Sequence, residues 1–280
     1  MTGRLHWAAL LLGLTATGCS ESVYLDSEGP SSPTTSSSRT PTATGIPKNA
    51  TFLLRIGPDG SLEQAGSAGV TIDTARLHDG ALRTVKGSPE AGASPAIDFP
   101  GFVRTEYYPR AIIRVVNAGT RDQLNPGTAD FRFGADFVID KESSGAAADN
   151  GDNLVQRGLS SDPVMFKVEI DRDRPSCLVR GAEGVVAVRS ADFIQPGWWY
   201  RVECHRTEDA VTLTLTEFAP DGSVTTTETT APGRTGAIVM PEAGVPLSVG
   251  GKLARNGGPI ESATDQFNGR AANAYLVIAR

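Results

Sequence analysis

The chain has 280 residues, of which 39% are hydrophobic and 21% charged, and its formal net charge is −6. A negative charge without a basic run argues against nucleic acid as a partner. The three histidines and three cysteines show no spacing typical of a zinc site.

The first 18 residues have the pattern of a lipoprotein signal peptide. Arg4 and His6 give a short basic start, and the apolar run 7–14 follows. This run is far shorter than the roughly 20 residues that a membrane-spanning helix needs. Small residues then lead into Cys19, as in a bacterial lipobox. We expect cleavage before Cys19 and a lipid on its sulfur; ordinary secretion with an incidental cysteine is the alternative.

Residues 19–48 are rich in Ser, Thr, Pro and Gly and contain few apolar side chains. Such a segment buries too little apolar surface to offset the entropy lost on ordering. We therefore expect a flexible tether that starts at Cys19 and holds a following domain, residues 49–280, outside a bacterial cell membrane.

Two cysteines remain if Cys19 carries a lipid, namely Cys177 and Cys204. Exported proteins commonly oxidise such a pair, so we expect a disulfide bond between them. Two buried free thiols are the alternative.

The predicted domain reads as all-β. Short runs of β-branched and aromatic residues alternate with Gly, Pro, Asn and Asp turn markers, and no stretch shows a helical period over three turns. These runs are 51–57, 111–116, 131–140, 164–171, 185–190, 198–206, 211–218, 223–230 and 273–279. Many short strands between turns predict a sandwich, a jelly roll or a barrel.

The clearest unit is the predicted hairpin "VTLTLTEFAPDGSVTTTETT". Val211, Leu213 and Leu215 alternate with threonines, which gives one apolar and one hydroxylated face. Asp221 and Gly222 supply a tight turn. The returning strand is almost entirely Thr, so we expect it near a sheet edge or on a solvated face.

The order of several motifs resembles laminin G-like domains of the concanavalin A-like lectin/glucanase superfamily. "GWWYRVECHR" matches their "G-x-W-H-x-V" strand through Gly197, Trp199 and Val202, and the hairpin matches the next strand. "PLSVGG" (246–251) and "DQFNGRAANAYLVI" (265–278) resemble their closing pattern, although Ala272 replaces an acidic residue common there. The resemblance implies a jelly-roll sandwich of two antiparallel sheets and a binding role.

The same resemblance implies positions for three side-chain types. It places Cys177 and Cys204 on strands that could be neighbours, and Trp199 in the core. Trp198 precedes the matched motif and is freer to face solvent, where it would be a weak candidate for stacking on a sugar. Half-buried packing is the ordinary alternative for Trp198.

The stretch "FKVEIDRDRPSCLV" (166–179) raises the question of catalysis, because Glu169, Asp171 and Asp173 would share one face of a strand. Laminarinase-type glycosidases space their carboxylates similarly, but with a second Glu that is missing here. Arg172 to Pro175 read as a polar turn. We expect a strand end with its carboxylates in water at the sheet edge, and no catalytic residue. A glycoside hydrolase or lyase that uses Glu169 and Asp171 is the alternative function.

Calcium is the remaining cofactor to consider. The segment "AADNGDN" (147–153) offers Asp149, Asp152 and Asn153, whose oxygens are ligands that Ca²⁺ prefers, in what reads as a flexible loop. An Asx-rich turn is the alternative. The sequence thus predicts a membrane-anchored, non-catalytic module for a glycan or protein ligand, and leaves a purely structural envelope lipoprotein as a further alternative.

Overall fold

The structure is a computed structural model that describes residues 34–36, 45–87, 95–105, 107–145, 151–262 and 264–279. Within these residues there are seventeen β-strands, numbered in chain order, and no helix. The predicted signal peptide, the predicted lipid acceptor Cys19 and Asp149 lie outside the described residues.

The larger sheet has ten strands. They are β1 (Thr34–Ser36), β2 (Phe52–Ile56), β3 (Leu62–Gln64), β5 (Arg83–Val85), β6 (Ala96–Asp98), β8 (Phe131–Ile139), β13 (Trp199–Arg206), β14 (Ala210–Phe218), β15 (Val224–Pro232) and β17 (Gly269–Ile278). Their order is β1-β15-β14-β13-β8-β17-β2-β3, and β6 pairs with both β17 and β5.

The smaller sheet has seven strands. They are β4 (Val70–Leu77), β7 (Arg110–Asn117), β9 (Asp152–Arg157), β10 (Met165–Asp171), β11 (Arg174–Gly181), β12 (Gly184–Arg189) and β16 (Leu247–Val249). Their order is β12-β11-β10-β9-β16-β7-β4. All of these strands pair antiparallel, as do those of the larger sheet.

A hydrophobic core fills the space between the sheets. Phe131 and Phe133 of β8 contact Phe166 of β10, with ring centroids 5.2 and 4.8 Å apart. All three side chains are buried, and each contributes about 1.5–3 kcal/mol relative to an exposed position. The alternation of apolar and polar residues along the strands therefore has a simple cause, since one face of each sheet packs against the other sheet. The predicted jelly-roll sandwich of two antiparallel sheets is confirmed.

The predicted hairpin is also present as β14 and β15. Its threonines pair across the strands, with hydroxyl oxygens 2.9 Å apart between Thr212 and Thr230 and 3.0 Å apart between Thr216 and Thr226. β15 is not the edge strand of the sheet, because β1 pairs with it. Thr34 pairs with Thr230 and Ser36 with Glu228. Part of the predicted tether thus extends the sheet as an added strand.

A disulfide bond joins Cys177 of β11 to Cys204 of β13, with Cα atoms 5.9 Å apart. The two strands lie in different sheets, so the predicted bond is confirmed but the expectation of neighbouring strands is wrong. Both side chains point from their own sheet into the core, where they are fully buried. The bond therefore links the two layers of the sandwich.

Candidate functional site

Glu169 lies on the outer face of the smaller sheet. It belongs to β10, the third of the seven strands, and its side chain is 17% exposed. Its carboxylate forms an ion pair with Lys167 and accepts a hydrogen bond from the Ser176 hydroxyl at 3.4 Å. The expectation that this carboxylate lies in water at the sheet edge is wrong, because β9 and β11 flank β10 on its two sides and the Glu169 side chain is largely buried.

Asp171 ends β10 on the same face. Its Oδ2 accepts a hydrogen bond from Arg189 Nη2 at 2.9 Å, and Arg172 lies within ion-pair distance at 3.9 Å. Both candidate catalytic carboxylates, Glu169 and Asp171, are thus paired with cations. Each of the two carboxylates is therefore held in place by a cation of its own sheet.

The predicted turn after β10 is present at Arg172 and Asp173. Both residues have positive φ angles, 51° and 59°, as a two-residue hairpin turn between right-twisted strands requires. Positive φ is uncommon for residues other than Gly, and such positions often occur where a surface is used for binding. The turn lies at the rim of the sandwich where β8 ends and β9 begins.

An open cavity of about 220 Å³ lies at this rim. Ile139 and Ile170, the buried ends of β8 and β10, form its apolar part. Its polar walls are residues 141–144, the turn Arg172–Asp173 and Asp152. Strand ends from both sheets therefore frame one concave surface of mixed polarity, which we call the rim cavity.

Phe193 lies in the loop between β12 and β13 and is 66% exposed. Its ring packs against the guanidinium group of Arg174, whose Cζ lies 5.2 Å from the ring centroid. Arg174 is held in turn by the carbonyl of Ser190, which accepts from Nε at 2.8 Å. The next residue, Ile194, donates its backbone N–H to the carbonyl of Asp173 at 2.8 Å, so the loop that carries Phe193 is tied to the turn.

Positive and negative side chains alternate around the rim cavity. Burial, followed by repulsion from Arg189, lowers the pKa of Arg174. Burial, followed by repulsion from Asp98, raises the pKa of Asp140, which directly follows β8. Each shift arises first from burial and then from repulsion by a like charge, on a cation in one case and on a carboxylate in the other, so the rim carries no field of a single sign.

The calcium site stays a prediction, because its candidate ligand Asp149 lies outside the described residues. Asp152 and Asn153 are the first residues of β9 and are buried, so they do not belong to a flexible loop. Asp152 pairs with Ile170, which faces the core, whereas Asn153 pairs with Glu169, which faces outward. The side chains of Asp152 and Asn153 therefore point to opposite faces of the sheet. Within the described ranges, no three His, Cys, Asp or Glu side chains form a group that could hold a metal ion.

Trp198 has the half-buried packing that is its ordinary alternative, whereas Trp199 does not lie in the core between the sheets. Trp198, the candidate for sugar stacking, is half-buried and packs against the main core. Trp199 is half-buried on the outer face of the larger sheet, where it packs with Phe218 and Ala272. An aromatic side chain that is exposed is Phe193 in "SADFIQPG", which sequence reasoning missed.

A buried polar network on the larger sheet was not foreseen. Arg201 donates to both oxygens of Asp136, at 2.5 and 2.9 Å, and Asn273 Nδ2 donates to the same carboxylate at 2.7 Å. Asn273 sits in a β-bulge of β17 with a φ of 51°, and its Oδ1 accepts from Arg55 at 2.9 Å. The donors and acceptors of this network satisfy one another. We therefore infer that the network helps to select this pairing of strands.

No protein-family model matches the chain, and no curated protein matches it. Among the residues the structure describes, no helix has the length and apolar character of a membrane span.

Solved structures do resemble it. The binding domain of Paraclostridial mosquitocidal protein 1 is 12% identical with a TM-score of 0.52, over 82% of this chain and 48% of that one. The binding domain of botulinum neurotoxin serotype G is 9% identical with a TM-score of 0.52, over 83% and 49%. The LG1-3 region of the laminin α2 chain is 17% identical with a TM-score of 0.40, over 53% and 28%. The chain thus spans less than half the length of each.

The two likenesses with a TM-score of 0.52 show the fold, a jelly-roll sandwich of two antiparallel sheets, which is the fold that the sequence motifs imply.

Proposed function

We propose that the chain is a non-catalytic binding module, anchored by a lipid on Cys19 to the outer side of a bacterial cell membrane, for a glycan or protein ligand. The observation that carries the proposal is the state of the outer face of β10, where both carboxylates of the glycosidase-like spacing are ion-paired. The two similar structures with TM-scores of 0.52 are both binding domains by name, which supports the same class.

The anchor and the tether fit this role. The lipobox-like residues before Cys19 would place the lipid at the membrane surface, and a Ser/Thr/Pro-rich tether would hold the sandwich away from it. The disulfide bond between Cys177 and Cys204 agrees with an oxidising compartment outside the cytoplasm.

The alternative function, a glycoside hydrolase or lyase, loses its support at the same two carboxylates, Glu169 and Asp171. A retaining glycosidase needs two carboxyl groups about 5–5.5 Å apart across the scissile bond, with one of them protonated. Glu169 and Asp171 instead form ion pairs with Lys167 and Arg189.

The full chain, purified in detergent, is applied to a glycan array and to a panel of purified surface proteins, each with calcium and with a chelator. The proposal expects saturable binding to a defined subset of one panel. Absence of saturable binding on both panels would contradict it and favour a purely structural envelope protein.

A further inference from the structure

We propose that the outer edge of β15 is a docking site for the chain's own tether, whose segment 34–36 forms β1, and that this docking is a clip that shortens the leash between Cys19 and the domain. The inference rests on the proposed function for the lipid on Cys19. It adds a reversible contact that sets the length of the leash.

The backbone of β15 offers hydrogen bonds on the side that faces away from β14. Ser223 and Gly233, which flank β15, form backbone hydrogen bonds with residues that flank β14, at 2.9 and 2.8 Å. Bonding directions alternate along an antiparallel strand, so the odd-numbered residues of β15 bond to β14. The N–H and C=O groups of the even-numbered residues therefore face outward.

The register of β1 uses these outward groups. Thr34 lies opposite Thr230 and Ser36 opposite Glu228, and both partners in β15 are even-numbered. Pro232, the next even-numbered residue, has no N–H to offer to a residue paired beyond Thr34. The clip therefore pairs two residues of the tether with two residues of β15 in one defined register.

The docking edge is held in place by β14. β15 pairs with β14 over nine residue pairs without a register shift. The hydroxyls of Thr226 and Thr230 lie 3.0 and 2.9 Å from threonine hydroxyls of β14, and Thr214 of β14 donates to the Glu228 carboxylate at 3.3 Å. The edge is thus preorganised, so mainly the tether segment loses entropy on docking.

The docking is weak enough to be reversible. β1 has three residues, of which only Thr34 and Ser36 lie opposite outward-facing residues of β15. The net contribution of a backbone hydrogen bond is modest, and the ordering of each tether residue opposes it. The docked and undocked states are therefore close in free energy.

Docking changes the length of the leash. With residues 34–36 on the sheet, the leash that starts at Cys19 ends at Pro33, which is half of the tether 19–48 expected from sequence. For a flexible coil, halving the length lowers the root-mean-square end-to-end distance by about 30%. The clip therefore holds the domain nearer to the membrane, and its release gives the domain a longer reach.

The first test measures amide hydrogen exchange of the full chain in detergent by NMR. In the wild type, the amides of Glu228 and Thr230 should be about tenfold more protected than that of Thr226, which faces outward beyond the residues that β1 pairs with. Ser36→Pro removes the N–H opposite Glu228 and should abolish this difference. The matched control is Thr35→Pro, because the N–H of this position faces away from β15, so the protection should remain.

The second test compares the same two variants with a lipid on Cys19, bound to a supported bilayer, by neutron reflectometry. The domain of the Ser36→Pro variant should lie farther from the bilayer than that of the Thr35→Pro variant. Equal distances would overturn the clip.

The remaining outcomes are distinguishable. If Glu228 and Thr230 exchange as fast as Thr226 in the wild type, the docking is wrong and the proposed binding role stands. Protection that grows with protein concentration would assign the edge to the tether of a second copy and overturn the contact within one chain. If mass spectrometry finds no lipid on Cys19, the anchor and the leash both fail, whereas the exchange pattern still decides the docking.

Discussion

The disulfide bond between Cys177 and Cys204 should stabilise the sandwich by restricting the unfolded chain. The two residues are 27 positions apart, and for a loop of this length the chain-entropy model gives about 3–4 kcal/mol at 25 °C. The bond joins β11 to β13 across the core, so the same link also opposes separation of the sheets. We therefore expect reduction to lower the free energy of unfolding by about 3–4 kcal/mol.

The assay is urea unfolding of protein refolded with and without a reducing agent, followed by tryptophan fluorescence. Reduced wild type keeps both sulfur atoms in the core, so the comparison isolates the covalent link. The double variant Cys177→Ala and Cys204→Ala should lose about 1 kcal/mol more, since both side chains are fully buried and their removal leaves a small cavity.

The m-value must be compared as well, because a cross-link makes the unfolded state more compact. A difference of less than about 1 kcal/mol between oxidised and reduced protein, with similar m-values, would refute the loop-entropy reasoning.

Three further predictions concern anchoring, pH and packing. Cys19→Ser should move the protein from the detergent phase to the aqueous phase or block its processing, and unchanged partition would contradict the lipid anchor. Burial, the largest cause, raises the pKa of Tyr200 to about 12. The unfolded state therefore loses this proton first, so between about pH 10 and 12 the free energy of unfolding should fall by about 1–2 kcal/mol more in wild type than in Tyr200→Phe. Burial also raises the pKa of Tyr275, which both proteins keep; equal pH profiles in urea melts would count against this. Gly134→Ala would place a Cβ 2.0 Å from the Val202 carbonyl and should destabilise by about 3 kcal/mol or more, whereas Gly119→Ala meets nothing within 4 Å and should be neutral; equal melting temperatures of the two variants would refute the packing argument.

The sequence predicted the strands whose apolar residues alternate clearly. The hairpin of β14 and β15 and the strand β10 are examples, because their burial depends only on the period of two. The segment 147–153 reads as a flexible loop rich in Asp and Asn, yet its last two residues, Asp152 and Asn153, are the buried start of β9. Arg157 is buried there because Asp122, distant in sequence, pairs with it at 2.9 Å. Such a partner is visible only in the folded chain.

The candidate site was less predictable than the fold. The turn after β10 could be read from Arg-Asp-Arg-Pro, and Lys167 lies two residues before Glu169 on the same face of β10, as the period of two predicts. The partner of Asp171, Arg189, belongs to β12, so this contact depends on how the strands pair. Phe193 lies in an irregular loop whose position is fixed by one backbone hydrogen bond to Asp173. No local pattern predicts that contact, because it depends on how the loop folds back onto the turn.

The central claim is that this module binds its ligand without cleaving it. The most direct measurement is mass spectrometry of the bound glycan after prolonged incubation with excess wild-type protein. The account predicts a ligand of unchanged mass, because Lys167 and Arg189 hold the carboxylates of Glu169 and Asp171 in ion pairs. Shortened products from the wild type that disappear with Glu169→Gln would contradict it.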